Sequence, residues 1–387
     1  MKISKLVSGI PGSATLSLTA RVKELTAQGR DIIGFGAGEP DFDTPEHIKQ
    51  AAIEALSAGR TKYTPAGGTS ELKRAVAETI NREYGLNYST QNVIVSCGAK
   101  HSLHNLFLAL FEAGDEVICP SPYWVSYPPQ IQITGARAVF VDTTATGLKM
   151  TPAALKAAIT PNTRGLILNS PSNPTGMVYT RAELEAIAEI CLESDLVIVA
   201  DDIYAKLVYD DAEFVGIASL SPEVARRTFI IQGVSKAYAM TGWRIGYCIG
   251  DAEVIKAMDR FQSHTTSNPT SFAQDAALAT LKGPQQVVED MRLAYQRRRD
   301  LMVDKIRDIP GFDIIAPQGA FYCFPSVKGT LERFGNASKL AEYLLEVANV
   351  GVVPGVDFGC NEYIRLSFAN SEANIVEGLD RIRKALS

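Results

Sequence analysis

A lysine and an arginine, Lys236 and Arg244, stand in the stretch Gly233-Val234-Ser235-Lys236-Ala237-Tyr238-Ala239-Met240-Thr241-Gly242-Trp243-Arg244-Ile245-Gly246-Tyr247. It follows an apolar run, 228–231, and is rich in small residues that let backbone approach a ligand. A lysine is ordinarily a solvated surface charge. One that is desolvated and set near other cations has a lowered pKa and a free, nucleophilic amine. Other candidate groups also lie at the ends of apolar runs. Asp201 follows 196–200, and a buried carboxylate there must be paired. Gly98-Ala99-Lys100 separates a strand from a helix start, where backbone amides favour a phosphate. Arg365, in the apolar run 363–368, is either a surface-facing alternate residue or a bidentate carboxylate clamp. Tyr123, Trp124 and Tyr127 form either a packing cluster or a loop whose flat ring stacks on a flat ligand.

The elements that must position these groups read as an α/β chain. The spacing predicts helices over 16–28, from Glu46 to 58, and over 70–84, 101–111, 152–158 and 181–193. Thr44 and Thr69 are read as caps, with Pro45 in the first turn of its helix. Short Val/Ile-rich strands are predicted at 31–35, 93–96, 116–119, 136–141, 165–169, 196–200, 228–231 and 245–249. Strands alternating with helices imply a mainly parallel sheet covered on both faces. In such sheets ligands sit beyond the carboxyl ends of strands, where the candidate groups fall. After Gly283 the texture changes. A charged helix, 286–308, leads to strands at 321–324, 351–353 and 363–368, with a helix on either side of the middle one. This reads as a smaller α/β domain. The expected organisation is an arm and part of the small domain at 1–43, a large domain at 44–283 and the small domain's remainder at 284–387.

Bulk properties narrow the classes. The 387 residues are 46% hydrophobic and 21% charged, enough apolar material for a sizeable core. A net charge of −5 argues against general nucleic-acid binding. The six cysteines form no Cys-x-x-Cys pair, which suits free buried thiols in a reducing cytoplasm. The four histidines show no metal-ligand pattern, so no metal site is expected. No stretch reads as a membrane span or signal peptide. In Gly34-Phe35-Gly36-Ala37-Gly38-Glu39 the glutamate stands where a dinucleotide fingerprint requires glycine.

The Ser235-Lys236 pair within its loop resembles the cofactor-lysine segment of class I/II aminotransferases, pyridoxal-phosphate enzymes of fold type I. The resemblance extends to Gly38-Glu39-Pro40-Asp41-Phe42, Tyr63 with Gly68, Asn173-Pro174-Thr175-Gly176 and Arg365-Leu366-Ser367-Phe368, in the family's order. It implies a seven-stranded large-domain sheet and a homodimer. It also implies site roles. Lys236 carries the cofactor and moves the substrate proton, and Asp201 meets the pyridine nitrogen. Tyr204 and Asn173 bond the phenolic oxygen, and Asn173 also reaches the substrate carboxylate. Trp124 stacks on the ring, with Tyr123 as second choice. Gly98, Ala99, Lys100, Ser235, Arg244 and the neighbouring subunit's Tyr63 hold the phosphate end. Gly38 lets substrate approach, and Arg365 clamps the α-carboxylate. The Ser13-Ala14-Thr15 arm and the lysine in the phosphate loop are similar to bacterial members acting on aspartate, in which Lys100, Ser13 and Thr15 take the distal carboxylate. The implied activity moves an amino group from L-aspartate to 2-oxoglutarate in ping-pong fashion. An aromatic, kynurenine or prephenate aminotransferase and a carbon–sulfur β-lyase are the alternatives. Three departures stand out, one being that Ile10-Pro11-Gly12-Ser13 lacks the basic residue that prephenate-using relatives often carry there, which weakens a prephenate reading. Gly233 replaces a serine that often touches the phosphate, so fewer phosphate contacts are expected. Asp202 stands where glutamate is usual.

Overall fold

The computed structural model describes every residue except Ser13, and every side chain except those of Ser13, Ala14, Thr15, Leu16 and Thr19. Its strands, in chain order, are β1 (Ile33–Gly34), β2 (Val93–Ser96), β3 (Glu116–Ser121), β4 (Arg137–Asp142), β5 (Thr163–Asn169), β6 (Val197–Asp201), β7 (Thr228–Gly233), β8 (Gly246–Ile249), β9 (Tyr322–Cys323), β10 (Val350–Gly351), β11 (Val353–Pro354) and β12 (Ile364–Ser367). Seven of them form one sheet in the order β2-β8-β7-β6-β5-β3-β4. β8 runs antiparallel to both its neighbours, and the remaining pairings are parallel. The mainly parallel seven-stranded sheet is therefore present.

This topology gathers the chemistry at one edge. β2, β3, β5, β6 and β7 deliver residues 98, 124, 173, 204 and 236 from their carboxyl ends. Arg244 lies just before β8, and because β8 is reversed its amino end reaches the same edge. Strands β7 and β8, and even the edge strand β2, are buried at every position, as a sheet covered on both faces requires.

A second core lies away from this sheet. It joins Ile33 and Phe35 near the amino end to Leu340, Leu344, Ile364, Leu366, Ile375 and Leu379, and Tyr204, Leu207 and Tyr209 reach into it. Phe35 is fully buried there, and burying such a ring contributes about 2–3 kcal/mol. That burial anchors the loop running from Gly36 to Phe42. The second core is organised around β9, β11 and β12, paired antiparallel in the order β11-β12-β9, and around the parallel pair β1-β10.

Several expectations are corrected. The strand expected at 31–35 shortens to β1, and the strand at 351–353 divides into β10 and β11, which pair with different partners. Only a short 3-10 turn, Gly355–Phe358, follows that region where a helix was expected. Helices Ala252–Ser263 and Ser271–Lys282 were not anticipated; both belong to the large sheet's covering layer, and only the second has an alanine-rich, weakly periodic sequence, so the first was missed despite a clear apolar face. Thr44 does not cap its helix. Its hydroxyl donates to the Ala239 carbonyl at 2.6 Å and accepts from Trp243 Nε1 at 2.9 Å, tying the helix start to the Lys236 loop. Thr69 does cap Ser70–Tyr84, accepting from the Leu72 amide.

Candidate active site

A cavity of about 360 Å³ opens where the sheet edge meets the second core. Lys236, Asp201, Tyr204, Asn173, Trp124, Lys100, Arg244, Arg365 and Gly38 all line it. Lys236 projects from the loop after β7 and donates through Nζ to the Gly38 carbonyl at 2.5 Å. Its ammonium faces the rings of Tyr204 at 5.9 Å and Phe321 at 5.7 Å. Part of its surface opens on the cavity, but protein encloses its head on the other sides. That burial, with the charge of Arg365 and then of Arg244, pushes its pKa down to about 8, against the opposing pull of Glu39 and Asp201.

Asp201, only 4% exposed, ends β6 at the cavity floor. Its Oδ2 accepts from the Tyr127 hydroxyl at 2.6 Å, and Oδ1 accepts a long bond from the Ile203 amide at 3.4 Å. Burial raises its pKa to about 6, and the Tyr127 bond, the Ile203 amide and the Lys236 charge hold it from rising further. Asp202 points away, taking the Tyr84 hydroxyl at 2.8 Å. Burial pushes it up to about 8. Two adjacent acids thus have separate environments, and only Asp201 faces the cavity.

Arg365 is 2% exposed, and burial lowers the proton affinity of its guanidinium. It donates to Asn173 Oδ1 at 3.0 Å and to the Gly36 carbonyl at 2.9 Å, while its Nε has no partner. No carboxylate among the described residues pairs with it. A guanidinium has five N–H donors in a planar fork, so this is a buried cation with unused donors aimed at a cavity. Asn173 is itself held by its backbone N–H, which donates to Asn169 Oδ1 at 2.8 Å.

The opposite end of the cavity is lined by Ala99, Lys100, Ser235 and Arg244, with Gly98 behind Arg244 and not itself on the wall. Helix Ala99–Leu110 starts at Gly98 with no side-chain cap, so its leading amides have no carbonyl one turn back to bond. Gly98 has φ +88°, and a methyl group there would strike the Arg244 guanidinium. Arg244 is anchored by its donation to the Thr241 carbonyl at 2.9 Å. Gly233 and Gly246 pair across β7 and β8, and a Cβ on Gly233 would lie 2.9 Å from Gly246 Cα. Gly246 in turn abuts the Ala99 amide. The departure at Gly233 thus has a packing reason, since any side chain would force β8 away from the helix start. Lys100 lies 4.9 Å over the Trp124 ring. Partial burial of its ammonium and the Arg244 charge lower its pKa.

The family model for aminotransferase class I and II matches residues 30–382, nearly the whole chain. The chain belongs to that aminotransferase family. Among similar proteins is the aspartate aminotransferase of Geobacillus stearothermophilus, 50% identical over 99% of this chain and 98% of the relative. The aspartate/prephenate aminotransferase of Cereibacter sphaeroides is 46% identical, covering 98% of each. Among solved structures, the aspartate aminotransferase of Rhizobium meliloti superposes with a TM-score of 0.95 at 43% identity, over 100% of this chain and 99% of that one. The Thermus thermophilus aspartate aminotransferase with maleate gives a TM-score of 0.95 at 43% identity over 100% of both chains. The fold is therefore the fold type I arrangement of these aminotransferases.

Against this aminotransferase frame, most expected site residues share the one cavity, Ser235 and Ala99 included. Tyr63 does not; it is 92% exposed on the loop before Thr69. Tyr123 does not either, because it stacks on Phe140 with centroids 4.9 Å apart. Trp124 is the ring at the cavity, braced edge-on by Tyr127 at 5.3 Å. Ser13 and the Thr15 side chain lie outside the described residues. The sequence reading missed Tyr127 as the partner of Asp201, Tyr322 beside Arg365, and Glu39, which accepts from the Thr241 hydroxyl at 3.0 Å at the cavity lip. Tyrosines inside apolar runs look like core, so only their partners expose them.

Proposed function

We propose that this aminotransferase binds pyridoxal 5′-phosphate and moves the amino group of L-aspartate to 2-oxoglutarate. The observation that carries the reading is Arg365, a buried cation without a carboxylate, facing the same cavity as an enclosed lysine of lowered pKa. The residues present fit the cofactor. Lys236 offers the amine and Asp201 a buried carboxylate for the ring nitrogen. Trp124 offers a flat face, and Tyr204 and Asn173 suit the phenolic oxygen. The Gly98–Lys100 amides, Ser235 and Arg244 suit the phosphate. When bound, the cofactor supplies a ring that absorbs the negative charge left as the substrate loses its Cα proton.

The chain's own groups do the rest. With its pKa near 8, Lys236 has about a tenth of its amine unprotonated at pH 7, which supplies both the nucleophile and the group that moves the Cα proton. Asp201 is mainly ionised at neutral pH and keeps its partner protonated. Arg365 fixes the α-carboxylate bidentately and so sets the Cα–H bond toward Lys236. Gly38 keeps that face free of a side chain. Lys100, unpaired and steered by Trp124, is the described residue suited to a second carboxylate; Ser13 and Thr15 complete this set in the proposal. A range that also takes prephenate is the second reading, favoured by relatives named aspartate/prephenate aminotransferases at 46% identity.

The reading includes a homodimer in which Tyr63 completes the neighbour's phosphate site. The Tyr63 loop is held as a platform. Gln274 accepts from the Thr69 amide at 2.8 Å and donates to Thr64 at 3.0 Å, and Gln262 donates to the Ala66 carbonyl at 2.6 Å. It also includes the domain division at 43/44 and 283/284, supported by the second core joining Phe35 to the carboxyl-terminal third. A cytoplasmic location suits the six free thiols. Among the described residues no helix is long and apolar enough to cross a membrane.

The deciding experiment is the absorption spectrum of the purified protein before and after L-aspartate. A visible band that gives way to the amino form of the cofactor supports cofactor and donor together. No band, even after added pyridoxal phosphate, overturns the reading. Replacing Lys100 by alanine is expected to reduce aspartate turnover far more than alanine turnover; equal losses would remove its distal-carboxylate role.

A further inference from the structure

Tyr322 stands where the two cores meet, and no role above uses it. In the register of β9 and β12 it faces Ser367, two residues from Arg365. Residues two apart on a strand share a face, so Tyr322 and Arg365 project to one side of the small sheet. The guanidinium lies 4.4 Å from the centre of the Tyr322 ring. The Tyr322 hydroxyl lies 2.9 Å from that of Tyr204, which comes from the loop after β6. Tyr322 is fully buried but for its share of the cavity wall. Its hydroxyl lies beside Gly38, where a Cβ would make a tight 3.3 Å contact with it. One side chain thus touches Arg365, Tyr204 and the backbone that receives the Lys236 ammonium.

We propose that Tyr322 is a positioning residue: its ring holds the Arg365 guanidinium in place, and its hydroxyl donates to Tyr204 and so turns the Tyr204 proton into the cavity. This rests on the pyridoxal-phosphate reading, because the Tyr204 proton has a use only at the bound ring's phenolic oxygen.

The direction of the bond follows from where the Tyr204 proton goes. Two hydroxyls share one contact, and neither has another partner among the described residues. Burial raises the pKa of both, so both stay protonated. On the cofactor reading Tyr204 gives its proton to the phenolic oxygen, so at the shared contact it accepts and Tyr322 donates. A hydroxyl that accepts one hydrogen bond becomes a stronger donor in the next.

Two substitutions separate the two functions. Tyr322→Phe removes the hydroxyl and keeps the ring under Arg365; Tyr322→Leu removes both. Holoenzyme of each is titrated with pH while the visible band is followed, and binding of succinate, a non-reactive dicarboxylate, is measured by the same band. Tyr204's donation stabilises a phenolate, so a weaker donor lets the bound ring hold its proton to higher pH. The midpoint in Tyr322→Phe is expected to rise by about 0.3–0.7 pH unit, with succinate affinity within about twofold of wild type. Tyr322→Leu is expected to show the same rise and to bind succinate about three- to thirtyfold more weakly. A merely structural residue would lower the thermal midpoint and leave the pH midpoint in place. An unmoved pH midpoint in Tyr322→Phe, or undiminished succinate binding by Tyr322→Leu, overturns the proposal. A wild-type protein without a visible band overturns the cofactor reading instead, so the two failures are distinct.

Discussion

Replacing Arg365 by methionine should separate stability from function. The guanidinium is desolvated with no counter-carboxylate among the described residues, and an uncompensated buried charge costs several kcal/mol. Two hydrogen bonds, to Asn173 and the Gly36 carbonyl, recover about 1.5–3 kcal/mol each. The rings of Tyr322 at 4.4 Å and Phe358 at 5.0 Å recover about 1 kcal/mol each. The terms nearly cancel, and methionine restores apolar packing, so the cofactor-free Arg365→Met protein should be as stable as wild type or better by up to about 2 kcal/mol. With an unfolding entropy of about 2 cal/mol/K per residue over 387 residues, each kcal/mol moves Tm by roughly 1.2 °C. Calorimetry of the cofactor-free protein should therefore show a Tm unchanged or raised by about 1–3 °C. The same substitution removes the proposed α-carboxylate grip, and truncating such a contact costs about 2–5 kcal/mol, an expected fall in kcat/KM of about 30- to 5,000-fold for every amino donor. A Tm lower by more than about 3 °C would show that Arg365 is a structural cation. A loss in kcat/KM below about tenfold would show that it does not hold substrate.

Three further outcomes are expected. Lys236 has its folded pKa depressed to about 8, so the free amine grows as pH rises through that value. The rate at which cofactor-free protein captures pyridoxal phosphate should climb through about pH 8 and then level, and a flat profile would refute the assignment. By linkage, the same depression makes this amine's contribution to folding most unfavourable below pH 8 and relieves it between 8 and the unfolded value of 10.5. Gly98→Ala places a methyl against Arg244 at φ +88°; cofactor affinity should fall about tenfold or more with kcat far less affected, as equilibrium dialysis would show. Tyr63→Phe should weaken cofactor retention only in dimers carrying the change opposite an intact site. Mixed dimers with Lys236→Ala subunits test this, and retention that follows a subunit's own Tyr63 would refute the sharing.

How far the sequence exposed this site depends on what each residue does locally. Asp201 and Arg365 stood out locally because each is a polar group placed where an apolar run ends or passes; Lys236 and Asn173 stood out chiefly through the resemblance of their loops to the family's. The large sheet was legible locally, as short Val/Ile runs cannot be solvated on either face. Tyr322, and the pairing of Tyr127 with Asp201, were hidden, because a phenol that satisfies the core pattern reveals its role only through a partner distant in sequence. Thr44 was misread because threonine before Pro-Glu is a sound local cap signal. The Ala239 carbonyl and the Trp243 indole, nearly two hundred residues away, offered its hydroxyl better-placed partners. The split of 351–353 was equally invisible, since two strands with different partners read as one apolar run.

The stack of Gly98, Gly233 and Gly246 divides the cavity into a part that can be redesigned and a part that cannot. Three backbone segments touch there without side chains between them, so no substitution at these three positions can retune the proposed anion site without moving β8 or the start of helix Ala99–Leu110. Lys100, the second residue of the same helix, is exposed, without an ion-pair partner among the described residues, and steered by a ring. A library confined to Lys100 and its neighbours at the open side can therefore trade one distal group for another while the anchoring end stays constant. Evolution of new substrate ranges on this scaffold has the same easy direction.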